Sequence, residues 1–452
     1  MDVSVEHDRQ AAQDAPLTLA EAPSQPMGLV SNAAFWWNLG ISLLLPVAAV
    51  YAVLPGRPLW VSLLAVVVGA VIGGLLLGLA AAPGAREGVP AMVLLRGLLG
   101  ARMSYVPTVV NVAQCVGWAT FEIVVIAEAA SRIVGAPRWP FVLGAGALAT
   151  LMALRPLGAV RLLARYAAWV ALAAVVYLFL QVLRQPLPAE ATVGNATSFW
   201  TAVDVVIALP ASWAPLAADY TRHVRGTRSA GAGAAIGYGL ATVVFFTLGM
   251  LALVAYGAGG LDLIGALLAV PLGGLALLLL VVVELDEAFA NVYSTAVSSQ
   301  NIVAHWDRRL LALGVGTLAT LLALSFDIVA YEPFLFLIGS VFVPLVGVLV
   351  VAYYLLPDGG WDVSRTAPSR PLLVLPWAAG FVAYQLTLPT FFTGPGSGWT
   401  AWWSARQGDL GIDPANGMSA SLVSLGVAMV LTGLVGLPSL VRRRSRRGRG
   451  GR

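Results

Sequence analysis

Apolar stretches of about 17 to 25 residues recur along nearly the whole of this chain, each long enough to carry a helix across the hydrocarbon core of a bilayer. In lipid every backbone N–H and C=O must be satisfied internally, so only helices and closed barrels can span it. The runs are continuously apolar rather than alternating, which excludes the barrel. They fall at approximately 32–54, 59–82, 105–134, 139–155, 162–183, 199–219, 230–258, 269–303, 310–329, 333–356, 371–392 and 419–440. The expectation is an all-α integral membrane protein of about twelve spans. Composition agrees, since 59% of the 452 residues are hydrophobic and 11% charged, far from the balance of a water-soluble domain.

Arginine sets the orientation, because the chain has no lysine. With the N-terminus inside, one side collects Arg9, Arg86, Arg96, Arg102, Arg155, Arg161, Arg165, Arg222, Arg225, Arg228, Arg308, Arg309, Arg365, Arg370 and seven arginines from Arg442 to Arg452. The other side keeps Arg57, Arg132, Arg138, Arg184 and Arg406. That asymmetry predicts both termini in the cytoplasm, and the plasma membrane is the expected location. Residues 1–27 read as a disordered cytoplasmic tail, lacking the pattern of a signal peptide. Residues 28–440 form the transmembrane unit and 441–452 a basic tail. The tail follows an apolar helix directly, so anionic lipid rather than nucleic acid is its expected partner. The lone Cys115 excludes an internal disulfide and a cysteine metal cluster.

Two spans carry prolines at mid-depth. The first contains Asn38, Gly40, Ile41, Ser42 and Pro46, and the sixth contains Leu209, Pro210, Ala211, Ser212, Trp213 and Pro215. Proline removes a helical donor and disturbs the preceding turn, so both helices are expected to break there. Broken helices five spans apart suit an inverted repeat, with freed backbone groups for a cation and for polar solute atoms.

In the third span Asn111, Gln114, Trp118 and Glu122 recur at three- and four-residue spacing and share one face. An indole can stack on a flat ring while Gln and Glu read its hydrogen-bonding edge. The eighth span holds Glu284, Asp286 and Glu287, followed by Asn291 and Tyr293. Three ionised acids at mid-membrane would cost on the order of 8–10 kcal/mol, so water, protons or a hard cation such as Na⁺ must compensate. Glu284, Glu287 and Asn291 share a face, and Asp286 and Tyr293 share another. Asp219 and Arg222, three apart at the end of the sixth span, are expected to pair or cap. P-loop, HExxH, nucleophile-elbow and dinucleotide patterns are missing from the sequence, and the chain is not expected to be an enzyme.

The sequence resembles the nucleobase-cation-symport-1 family of cytosine, purine, allantoin and hydantoin permeases from about Gly28 to the tenth span. The likeness is carried by Gly84 to Pro90 continuing to Arg96 and Gly100, by Gly117 and Trp118, by Ala218 to Arg222, and by Ala290 to Ser294. It implies a LeuT-type fold with repeats at about 32–183 and 199–356 and two additional helices at 371–440. It also implies a solute held between helices 1, 3, 6 and 8. Trp118 then matches a stacking position, Glu122 an amide-bearing position one turn later, and Asn291 the helix 8 asparagine.

The implied solute site comprises Gly40, Gln114, Trp118, Glu122, Pro210, Ala211, Ser212, Trp213, Glu287 and Asn291. The implied coupling site comprises Asn38, Ile41, Glu284 and Asp286, with Asp286 the candidate sodium ligand. Leu285 and Asp286 stand where the family carries a hydroxyl pair, and Glu122 replaces its usual Gln, so the ion is either Na⁺ or H⁺. No organic cofactor is expected. The implied activity is cation-coupled import of a nucleobase-like solute. The alternatives are uptake of hydroxymethylpyrimidine, a thiamine precursor, or of an amino acid on the same fold.

Overall fold

The computed structural model describes residues 24–154, 168–257, 260–356, 360–392, 396–412 and 417–449, with side chains to residue 436 in the last segment. The tail at 1–23, Arg155, Arg161, Arg165 and the side chains of the terminal arginines lie outside these residues. Each of the twelve apolar stretches contains a helix. In chain order these are α1a (Leu29–Leu39) and α1b (Leu44–Ala48), α2 (Leu59–Glu87), α3 (Tyr105–Val134), α4 (Trp139–Leu154), α5 (Ala168–Val182), α6 (Phe199–Trp213), α7 (Thr227–Tyr256), α8 (Gly273–Ser299), α9 (Arg308–Ala323), α10 (Tyr331–Val350), α11 (Val374–Thr387) and α12 (Ala420–Arg449). Among the described residues five helices are long and apolar enough to cross a membrane, or six if the bent α1 pair counts as one.

The exposed face of α2 shows what solvent the surface is built for. Trp60, Leu64, Val67, Val71, Leu75 and Leu79 recur at three- and four-residue spacing and are all exposed, the reverse of a soluble helix. The opposite stripe is small. A Cβ on Gly69 would lie 2.6 Å from Val206 Cβ, and one on Gly78 would lie 2.6 Å from the Gly231 carbonyl oxygen. These glycines let α2 press directly onto α6 and α7, the close approach on which helix association in lipid depends.

Helix pairs five apart pack together: α2 on α7, α3 on α8 and α4 on α9. The last pair repeats one motif in both directions. A Cβ on Gly146 would lie 2.0 Å from Thr320 Oγ1, and one on Gly316 would lie 2.0 Å from Thr150 Oγ1. Each threonine turns its hydroxyl back to its own helix, Thr150 to Gly146 O at 2.7 Å and Thr320 to Gly316 O at 2.6 Å.

The expected break in the first span is present. α1a and α1b are bent by 60°, because Pro46 offers no N–H to the turn before it. The expected break at Pro210 is not. α6 runs through Pro210 to Trp213, and the interruption is a single 3-10 turn at Ala214–Leu216 containing Pro215, followed by a short helix at Ala217–Thr221. The Pro210 ring is received by Gly73 of α2, where a Cβ would lie 2.7 Å from Pro210 Cγ. Glycine on the neighbour thus leaves room for the ring.

Connections are ordered as well. The segment Ala91–Leu99 is a helix whose residues are all buried. Asp219 accepts the Ala91 N–H at 2.8 Å, capping this helix rather than pairing with Arg222, which instead donates from Nε to the Asp219 carbonyl at 3.2 Å. Capping wins because a helix N-terminus leaves buried N–H groups without partners. Arg96 of the same helix donates to the Asn301 side chain at 2.7 Å. Asn301 in turn donates to Ser104 Oγ and Thr108 Oγ1 at 3.0 and 2.8 Å, joining the end of α8 to the start of α3.

Residues at the end of the expected tail are docked. Met27 pairs with Val224 in a parallel bridge, and His223 Nδ1 lies 2.9 Å from the Ser24 carbonyl oxygen. Burial, reinforced by the neighbouring Arg222 charge, lowers the His223 pKa to about 4.

Candidate functional site

The interruption of α1 meets the acids of α8. Ser42 donates from Oγ to Glu284 Oε1 at 2.9 Å, and the Leu43 N–H donates to the other carboxylate oxygen. The Leu44 N–H goes to Ser42 Oγ at 3.0 Å. A carboxyl group therefore takes up an amide donor at the start of α1b, where a helix favours an acceptor. On the other face of α8, Asn38 Nδ2 donates to Asp286 Oδ2. The four residues of the expected coupling site are buried, and Asn38, Glu284 and Asp286 of them bond across between α1 and α8.

Glu122 reaches across from α3, and one carboxyl oxygen from each of Glu122, Glu284 and Glu287 lies within 4.8 Å of the other two. The three are buried, and the donor set is all oxygen. Such a set suits a hard cation, and Na⁺ held here would sit between α3 and α8. Among the described residues no ion pair joins these carboxylates to a base. Like charges this close, removed from water, need protons, a cation or a positive group on the solute.

Beside this cluster is a cleft lined by Trp118, Leu209, Ser212, Trp213, Leu216, Tyr238, Glu287 and Asn291. The structure thus brings Trp118, Ser212, Trp213, Glu287 and Asn291 to one place. The other expected solute residues stand around it. Gln114 donates from Nε2 to the Ser212 carbonyl at 3.0 Å, and Glu122 adjoins Glu287. Pro210 and Ala211 are buried in the same turn of α6, between the lining residues Leu209 and Ser212. Gly40 is a packing contact, since a Cβ there would lie 2.4 Å from Ala241 Cβ.

Three aromatic residues at the cleft were not singled out in the sequence. Tyr238 of α7 accepts from Trp213 Nε1 at 2.8 Å. Tyr331 and Phe334 of α10 meet the Trp118 ring edge-on at centroid distances of 5.8 and 5.1 Å. Gly117 makes room for Phe334, whose ring a Cβ would approach to 2.6 Å. Tyr238 lies in a stretch of small and apolar residues with no polarity contrast to mark it, and Tyr331 and Phe334 adjoin Glu332 at the start of a span, where nothing in the local pattern points them at the third helix.

The cleft is closed to about 10 Å³, room for about one water. A vestibule of about 920 Å³ opens on the face opposite Met27, lined by Val47, Tyr51, Glu128, Arg132, Asp262 and Glu332 among others. Tyr331 stands between the two, flanked by the vestibule residues Ala330 and Glu332 and donating to the Leu44 carbonyl at 3.3 Å.

A first helix broken at a buried polar centre beneath an open vestibule, in a bundle whose helices pair five apart, is the arrangement of a membrane transporter of the LeuT fold. The family model described as a permease for cytosine/purines, uracil, thiamine and allantoin matches residues 29–367, and the chain belongs to that family, the nucleobase-cation-symport-1 transporters. Among solved structures it is similar to Mhp1, a transporter of that family, in a closed conformation with bromovinylhydantoin bound. The TM-score is 0.71 and the identity 18%, over 93% of each chain. The inward-facing conformation of Mhp1 gives 0.68 at 16% identity, again over 93% of each. A Na⁺-coupled sialic acid symporter in a substrate-bound, outward-open state gives 0.62 at 10% identity over 91% of each chain. No curated protein is matched.

Proposed function

We propose that this chain imports a nucleobase-like solute, cytosine, a purine or a related pyrimidine, across the plasma membrane by symport with Na⁺ or H⁺ through alternating access. In this reading residues 32–183 and 199–356 are the inverted repeats and both termini are cytoplasmic. The observation that carries it is the cleft itself. Trp118, Trp213 and Tyr238 supply flat rings around Glu287 and Asn291, next to the interruption of α1 and its acidic partners. Mhp1, bound to a hydantoin ring, shares the fold, which supports a planar solute here. One charge moving through 100 mV releases about 2.3 kcal/mol, enough to concentrate a neutral solute roughly 50-fold.

Uptake of radiolabelled cytosine and adenine into proteoliposomes, with Na⁺ and H⁺ gradients imposed separately, tests the proposal. Accumulation driven by one of the gradients is the expected result. Equal flux without either gradient would remove the coupling, and competition by amino acids instead of nucleobases would move the protein to another solute class. Hydroxymethylpyrimidine is a second reading, favoured by the acidic pattern of α8 at Glu284, Asp286 and Glu287, and it belongs in the same competition series.

A further inference from the structure

The hydrogen-bonding groups around the cleft are heavily biased toward acceptors. Both side-chain oxygens of Glu122, Glu287 Oε1, Asn291 Oδ1 and Gln114 Oε1 are buried with no partner among the described residues. The neighbouring donors are mostly committed. Gln114 Nε2 donates to Asn111 Oδ1 at 2.9 Å and to the Ser212 carbonyl at 3.0 Å. Asn291 Nδ2 donates to the Glu287 carbonyl at 3.1 Å, and the Ser212 hydroxyl to the Leu209 carbonyl at 2.6 Å. Trp213 Nε1 is taken by Tyr238. Trp118 Nε1 has no partner, and the Tyr238 hydroxyl keeps its own proton.

Unsatisfied acceptors this deeply buried are costly unless the bound solute completes them. Asn291 and Gln114 belong to this set independently of the acids, and each is at most 2% exposed. The vestibule leading toward the cleft leans the same way. Its lining includes the carboxylates of Glu128, Asp262 and Glu332 against the guanidinium of Arg132. A lining of that sign favours entry of a cationic or donor-rich species.

We infer that the solute carries an amidine edge, an exocyclic amine beside a ring nitrogen, and turns more N–H donors than carbonyl oxygens toward Glu287, Asn291 and the Glu122 side of the cleft. This rests on the proposed nucleobase-like solute and narrows it. A carboxyl group and an amidine pair through two parallel hydrogen bonds. The proton between them sits on the acid when both are neutral, or on the ring when they form an ion pair, so the match survives either protonation state. Opposite Asn291 Oδ1 or an ionised carboxylate, a ring that replaces the amine by a carbonyl sets acceptor against acceptor and leaves buried groups unmatched.

The test is equilibrium binding to the purified full-length protein in lipid nanodiscs at fixed Na⁺ and neutral pH. It uses two ring pairs that differ only in amine against carbonyl: cytosine with uracil, and adenine with hypoxanthine. The expected result is that the amine member of a bound pair binds at least about tenfold more tightly. Equal or reversed affinities overturn the inference and leave the transport proposal standing. Binding of none of the four rings overturns both. Glu287→Gln, which gives the cleft a new donor, is expected to narrow the cytosine-to-uracil ratio by about tenfold. An unchanged ratio in a folded Glu287→Gln protein overturns the assignment, and the wild-type ring pairs decide the matter if that variant does not fold.

Discussion

The Glu284 carboxylate holds the interruption of α1 through Ser42, whose hydroxyl donates to Oε1 at 2.9 Å while the adjoining Leu43 N–H is bound by the second oxygen. An acid that looks misplaced in an apolar helix is thus the acceptor a broken helix requires. Glu284→Ala should cost about 1–3 kcal/mol, since it leaves a buried N–H and a hydroxyl without an acceptor. Glu284→Gln keeps one acceptor oxygen and should lose less. Thermal unfolding of the two variants in the same detergent gives the comparison, and equal losses would contradict it.

Trp118 lines the cleft, and Tyr331 and Phe334 pack against its ring in T-shaped contacts. Trp118→Ala should weaken solute binding by about 1–3 kcal/mol, the scale of base stacking on an aromatic side chain. Trp118→Phe should recover much of that loss. Unchanged affinity in the alanine variant would exclude stacking at this position.

Asp204 ties the C-terminal helix to α6. Its carboxylate accepts from Ser419 Oγ at 2.5 Å and from the Ala420 and Ser421 N–H groups at 2.8 and 3.1 Å, capping α12. Asp204→Ala should cost about 1–2 kcal/mol and raise amide hydrogen exchange first around residues 419–424. Exchange spread evenly over the molecule would show that the cap has no local role.

The reciprocal glycine and threonine contacts fix how closely α4 and α9 approach. Gly316→Ala places a methyl group where Thr150 Oγ1 now lies and should destabilise by about 1–3 kcal/mol. Adding Thr150→Ala should restore part of that loss. The midpoints of the single and double variants measure the coupling, and strict additivity would refute the contact.

His223 makes stability pH-dependent in the acid range. Burial first, and Arg222 second, lower its pKa to about 4 from the ordinary value of 6.5. The unfolded chain therefore takes up a proton near pH 6.5 that the folded chain refuses until about pH 4. This contribution is fully present above pH 6.5 and declines as pH falls from there toward 4. His223→Gln should flatten the fall in unfolding midpoint between pH 7 and pH 4.5, and an identical slope in the variant would rule out His223 as its source.

Much of this fold was legible in the sequence because insertion into lipid is decided segment by segment. Each apolar run must close its own backbone hydrogen bonds before it meets any neighbour, so the helices could be placed from composition alone. The bend at Pro46 was legible for the same local reason. Pro210, an equally plain signal, misled, because whether its ring breaks α6 depends on Gly73 of another helix. Asp219 likewise chose the Ala91 N–H over Arg222 across a long loop of sequence.

The site divides along the same line. That Gln114, Trp118 and Glu122 share a face, and Glu284, Glu287 and Asn291 another, follows from helical periodicity. That Glu122 meets Glu284 and Glu287, that Glu284 binds the open turn of α1, and that Tyr238, Tyr331 and Phe334 complete the aromatic walls was decided only when the helices packed. Spacing along one helix is a local property of the chain. Which faces meet, and which buried acceptors are left for a solute, depends on shape complementarity among segments far apart in sequence.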